Sequence, residues 1–251
     1  MFDGGYVGKI IAITGAGAGL GAALSRRFAR DGETVILLGR TYSKVKKLAD
    51  ELGEPAMAME CDVGDPDSVR SAFAAIADRH PKIDVLINNA AVYEPFTIAE
   101  ARDDQIQTII NTNLAGPIYC SRAAIPMMER GATIIHVGSE VIVEPFALLS
   151  LYQCTKAGLE RLSETMVKEL APLGIRVSTV RAGKMMSEEK APPNWDPDAA
   201  GRFYVQSKEQ GIDMMKAAIS HCDSVTDVFR MLLDLKPDFQ APLVWVGGRH
   251  P

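Results

Sequence analysis

A short apolar run, Ile10-Ile11-Ala12-Ile13, leads directly into Thr14-Gly15-Ala16-Gly17-Ala18-Gly19-Leu20-Gly21, and Leu20, Leu24 and Phe28 then recur at the spacing of a helix stripe. A strand, a glycine-rich turn and a helix in immediate succession leave few folds open. Glycines at such a turn let backbone N–H groups come close to a diphosphate, and the helix N-terminus favours its negative charge. Two registers fit: G-x-x-x-G-x-G over Gly15, Gly19 and Gly21, and G-x-G-x-x-A over Gly17, Gly19 and Ala22. The first starts directly after the strand and is preferred. Gly15, Gly17, Gly19, Leu20 and Gly21 are assigned to a dinucleotide cofactor on this ground.

The rest of the chain keeps alternating strand and helix signals. Strands are predicted at 34–38, 55–60, 83–87, 133–137, 175–180 and 243–246, and helices at 42–52, 65–79, 103–116, 119–129, 151–171, 208–219 and 224–235. Asp65 and Pro66 are a good N-cap and first helical residue. Between about 188 and 205 the pattern breaks. Pro192, Pro193 and Pro197 stand there beside Trp195, Phe203 and Tyr204, whose rings favour burial. Together with Met185 and Met186 these aromatics form either an apolar lid, in a segment spanning about 185–220, or plain core. Near-continuous apolar strands separated by helices predict one α/β domain over 1–251, its mostly parallel seven-stranded sheet covered on both faces.

The end of the second predicted strand bears on the cofactor. A carboxylate for the ribose 2′-hydroxyl is expected about 20 residues beyond the glycines. The chain has Gly39-Arg40-Thr41 instead. Arg40 and Thr41 can hold a 2′-phosphate, so NADP(H) is expected over NAD(H). The chemistry is expected further on, where Ser139 is followed by Tyr152 and Lys156. Residues four apart share a helix face. A lysine ammonium beside a phenol lowers its pKa from about 10 and makes it a usable acid or base. Ser139 can hold the oxygen that exchanges the proton. Glu140 to Val143 and Phe146 flank it, while Cys154 is expected to face away from Tyr152.

Composition narrows the partners. The 251 residues are 47% hydrophobic with a net charge of −5, which speaks against a nucleic-acid surface. No apolar run approaches the ~18 residues of a membrane span, and no leader is visible in Met1 to Lys9. Cys61, Cys120, Cys154 and Cys222 are far apart and read as thiols of a cytoplasmic protein. His80, His136, His221 and His250 have no metal-ligand spacing, so no metal is expected.

Further landmarks follow in order: Asp62-Val63, Asn88-Asn89-Ala90-Ala91, Asn113-Leu114-Ala115-Gly116, Ser139 with Tyr152-x-x-x-Lys156, Ala182-Gly183, Ser187, and Gly247-Gly248 after the last strand. With the glycine loop they run from about Lys9 to Gly248, and the chain resembles the short-chain dehydrogenase/reductase family in its short single-domain form. Ala91 and Ala182 stand where that family has glycine and proline. The resemblance implies a Rossmann-type doubly wound fold and a catalytic set of Asn113, Ser139, Tyr152 and Lys156. It implies adenine contacts from Asp62 and Val63, and cofactor contacts from Asn89, Ala90, Ala91, Tyr152, Lys156, Gly183, Met185 and Ser187. Asn113 would anchor a water leading from Lys156 to solvent. The implied reaction is reduction of a small apolar ketone to a secondary alcohol, or its reverse. Retention of the whole catalytic set favours this over a non-catalytic NADP(H)-binding regulator, and the chain leaves little room for the extra domain of an extended epimerase. A homotetramer or homodimer is also implied, built through the helices of Asn113 and Tyr152 (Leu159, Leu162, Met166, Leu170) and the strand Leu243 to Val246, with some of these residues facing the sheet instead.

Overall fold

The computed structural model describes residues 8–187, 195–212, 216 and 218–249. In chain order the elements are β1 Ile10–Thr14, α1 Gly19–Arg30, β2 Thr34–Gly39, α2 Tyr42–Leu52, β3 Met57–Glu60, α3 Pro66–Ala77 and β4 Val85–Asn88. There follow α4 Asp103–Ile110, a π-helical turn Asn111–Ala115, α5 Gly116–Ala124, β5 Thr133–Ser139, α6 Ser150–Leu170 and β6 Arg176–Ala182. The chain ends with β7 Met185–Met186, α7 Pro197–Glu209, β8 Ser220–His221, α8 Cys222–Leu233 and β9 Leu243–Val246.

Seven strands form one sheet in the order β3-β2-β1-β4-β5-β6-β9, with every neighbouring pair parallel. The strand residues alternate between two cores. Ile11, Ile13, Val35 and Leu37 pack on the face covered by α1 and α8. Ala12, Ile36, Leu38 and Leu86 pack on the face covered by α3, α5 and α6. A period of two with both faces buried explains why these strands read as unbroken apolar runs. From β1 the chain winds outward to β3, then returns to β4 and winds the other way. The crevice between the carboxyl ends of β1 and β4 is therefore the switch point at which doubly wound sheets bind ligands.

Three boundaries differ from the sequence expectation. The helix predicted over 103–116 is interrupted after Ile110 by the π turn. Apolar periodicity continues through that turn, so the change of winding is invisible to it. The third strand begins at Met57, after Pro55. The region read as irregular up to Val205 contains most of α7, which starts at Pro197 because Asp196 caps it, accepting from Ala199 N–H at 2.9 Å. Pro192, Pro193 and His250 lie outside the described residues; of the helix predicted over 208–219, residues 213–215 and 217 lie outside them too, and the described part is not helical beyond Glu209, where α7 ends.

The residues expected to form an oligomer contact on α6 face inward: Leu159, Met166 and Leu170 are buried, and Leu162 is partly so. The sheet-facing stripe of a 21-residue helix uses them up. On β9, Leu243 and Trp245 point outward, whereas Val244 and Val246 pack inward. Among the described residues, no helix is long and apolar enough to cross a membrane.

Candidate active site

A cleft of about 1130 Å³ opens along the carboxyl ends of the strands. At one end the backbone dominates. Gly15 and Gly19 have φ of +66° and +55°, which L side chains rarely adopt. Thr14 Oγ1 accepts from the N–H groups of Asn89 and Ala90, each at 3.0 Å, and ties the end of β4 to the end of β1. The Asn89 amide donates to Thr14 O at 2.9 Å and to Gly15 O at 3.3 Å. Asn89 thus braces the glycine loop through its amide N–H groups and also lines the cleft. Gly21 lies behind the loop, where a Cβ would sit 2.3 Å from Gly15 O. Gly17 packs toward Lys44 and Val45, also off the cleft.

Arg40 lines the cleft at the end of β2 and has no ion-pair or hydrogen-bond partner among the described residues. Thr41 precedes α2 and does not reach the cleft. Asp62 and Val63 line the neighbouring wall, with Asp62 Oδ1 accepting from Gly64 N–H at 2.9 Å. These features fit a dinucleotide. The loop approaches closely without Cβ atoms, a helix N-terminus follows it, and an uncommitted guanidinium stands where the ribose would lie.

At the other end, β5 and β6 finish level, Ser139 opposite Ala182. That register brings Glu140 against Gly183: a Cβ there would lie 2.7 Å from Glu140 Oε2. Glu140 Oε1 accepts from Lys184 N–H at 3.1 Å. Helix α6 carries Tyr152 and Lys156 on one face, as the spacing predicts. Cys154 is exposed on another face. Lys156 is 2% exposed, and its Nζ donates to Val137 O at 2.7 Å. Burial lowers its pKa to about 8.

Tyr152 keeps part of its surface open to the cleft but is ringed by protein. That desolvation pushes the phenol up to about 12, against a hydrogen bond with Ser139 that pulls it down. The lowering expected from Lys156 is outweighed here: the ammonium lies 5.8 Å from the ring centroid, bonded to Val137 O, and burial is the larger effect on the phenol.

Asn113 lies in the π turn, 0% exposed. Its Oδ1 accepts from Val92 N–H at 2.8 Å, and its Nδ2 donates to Val92 O at 2.7 Å and to Thr155 Oγ1 at 3.3 Å. The amide pins the loop after β4 to α6 beside Lys156, and it does not line the cleft. Ala90, Ala91, Gly183, Met185 and Ser187 all line the cleft, as does Leu20. Tyr93, Trp195 and Phe203 form a further wall beside Tyr152. Trp195 and Phe203 had two open readings, and Tyr93 was missed. Its position two residues after Ala91, in the turn leaving β4, was the available signal.

The model of the family described as short chain dehydrogenase matches residues 9–195. The chain belongs to the short-chain dehydrogenase family. It is 34% identical over 202 residues to an NADP-dependent 3-hydroxy acid dehydrogenase from Salmonella typhi, covering 78% of this chain and 81% of that one. It is 33% identical over 196 residues to a 3-oxoacyl-(acyl-carrier-protein) reductase from Vibrio harveyi, covering 77% and 80%. The crystal structure of a short-chain dehydrogenase from Streptomyces avermitilis superposes with a TM-score of 0.84 at 25% identity, over 97% of this chain and 89% of that one. Like other short-chain dehydrogenases, the protein is an oxidoreductase that acts on CH–OH/C=O groups and binds NAD(P)(H).

Proposed function

We propose that the protein reduces a ketone to a secondary alcohol with NADPH, or runs the reverse, with Tyr152 exchanging the proton. One observation carries this reading: the Tyr152 phenol, hydrogen-bonded to Ser139, opens into the same cleft as an uncommitted Arg40. A bound NADPH would supply the hydride. Ser139 and Tyr152 hold the carbonyl oxygen, and the phenol, protonated throughout the neutral range, gives its proton as that oxygen gains negative charge. In reduction the raised pKa suits the role, since the proton is in place when it is needed. Lys156 is positioned behind the phenol to stabilise it once it has become a phenolate, and Asn113 holds the helix and loop that place both.

Arg40 supports the preference for NADP(H), because a guanidinium pairs well with a phosphate and no carboxylate follows β2 to repel one. The test is turnover of a panel of ketones with NADPH and NADH, together with cofactor affinity for the wild type and Arg40→Ala. NADPH is expected to bind more tightly, and Arg40→Ala to erase most of that difference. Tighter NADH binding would refute the Arg40 assignment, and tight NADPH binding with no turnover would leave a binding protein. The reading extends to a cytoplasmic protein assembling as a dimer or tetramer. Exposed Ile110 and Ile118 beside the π turn, and Leu243 and Trp245 on β9, support assembly. A monomeric mass by light scattering would remove that part.

A further inference from the structure

The reacting phenol belongs to a continuous aromatic wall. Tyr93 lies 5.2 Å from Tyr152 between ring centroids, tilted by 39°. Trp195 meets Tyr93 edge-on at 5.4 Å and 76°, and its Nε1–H donates to Tyr93 O at 3.1 Å. Phe203, itself 2% exposed, meets Trp195 edge-on at 5.9 Å and 83° and lies 6.3 Å from Phe146. The indole is thus fixed by a hydrogen bond and by two edge-to-face contacts, the arrangement that aromatic quadrupoles favour. These rings come from the turn after β4, the turn after β5, and α7 with the residues before it.

Lys156 is buried behind Tyr152 and bonded to Val137. Glu140, Glu144 and Lys184 line the same end, so with Lys156 its carboxylates and ammonium groups are equal in number among the described residues. This end is therefore set apart by its rings and not by a net charge.

Building on the ketone-reductase reading above, we propose that the substrate is a ketone, or the matching alcohol, with a flat aromatic ring next to the carbonyl, seated against Tyr93 and Trp195.

The experiment compares kcat/KM, with saturating NADPH, for one matched pair, acetophenone against 1-cyclohexylethanone. The flat ring should be favoured by at least about 10-fold, the scale of a well-fitted hydrophobic contact. Trp195→Leu should shrink that ratio toward one, mainly through KM. The wild-type ratio decides the question even if the variant fails to fold. Turnover without a ring preference overturns this proposal and leaves the ketone-reductase reading standing. No turnover of either compound by the NADPH-bound protein overturns both.

Discussion

The two ends of the cleft are made of different material. The end assigned to the cofactor is mostly backbone and small residues: Gly15, Gly19, Ala90 and Ala91, held in place by Thr14 and Asn89. The end assigned to the substrate is mostly large side chains, among them Tyr93, Phe146, Trp195 and Phe203, which converge from separate crossovers. A backbone surface is fixed by where Cβ atoms are absent, and local spacing encodes that. A side-chain surface is fixed by which distant residues meet, and only the folded chain encodes that. The first end is suited to a constant ligand. The second can be rebuilt, without disturbing the sheet, by exchanging residues in loops.

Lys156 is the residue expected to serve both ends, so its removal should produce the largest change. Lys156→Ala should cut turnover by about 10²–10⁴-fold, the range for losing support of a general acid. It should also weaken NADPH binding through the lost ribose contact. Binding titrations and single-turnover rates on the same variant separate the two losses. If cofactor affinity is unchanged, Lys156 belongs to the substrate end alone and the proposed overlap disappears. A smaller effect is expected from pH. Burial lowers Lys156 from 10.5 to about 8, so the ammonium is present below that value and lost above it. Tyr152, near 12, stays protonated over the same interval. The alkaline limb of kcat/KM for NADPH should therefore bend near pH 8 and fall about tenfold per unit above it, since this parameter reports groups of the free enzyme. A profile flat to pH 10 would show that the lysine charge is not needed.

The same contrast explains how much could be read from the sequence. The strands, the glycine loop and the Tyr152–Lys156 face were legible because each depends on periodicity or spacing within a few residues. Arg40 was legible by the absence of an acid at a fixed distance. The π turn at Asn111–Ala115 was not, because a change from α to π winding preserves the apolar pattern while turning Asn113 inward to Val92. The state of Tyr152 was not legible either. Sequence supplies a lysine four residues away, but how far the ring is desolvated depends on which distant residues surround it, and here that burial is the larger effect. Tyr93 and Trp195 meet across a sequence separation of 102 residues, beyond any local signal. The stripe on α6 could not be divided between sheet and subunit contact for a related reason: an apolar stripe does not say whether it faces its own sheet or a neighbour.

The central claim is that Tyr152 provides the proton and that the dinucleotide end works independently of it. Tyr152→Phe keeps the ring and its packing against Tyr93 but removes the transferable proton. The decisive measurement is the pre-steady-state rate of hydride transfer in this variant, with NADPH affinity measured separately. The account predicts near-wild-type NADPH affinity and a hydride-transfer rate lower by about 10²–10⁴-fold. Near-normal hydride transfer, with at most a small loss of stability, would make Tyr152 a structural tyrosine and contradict the mechanism.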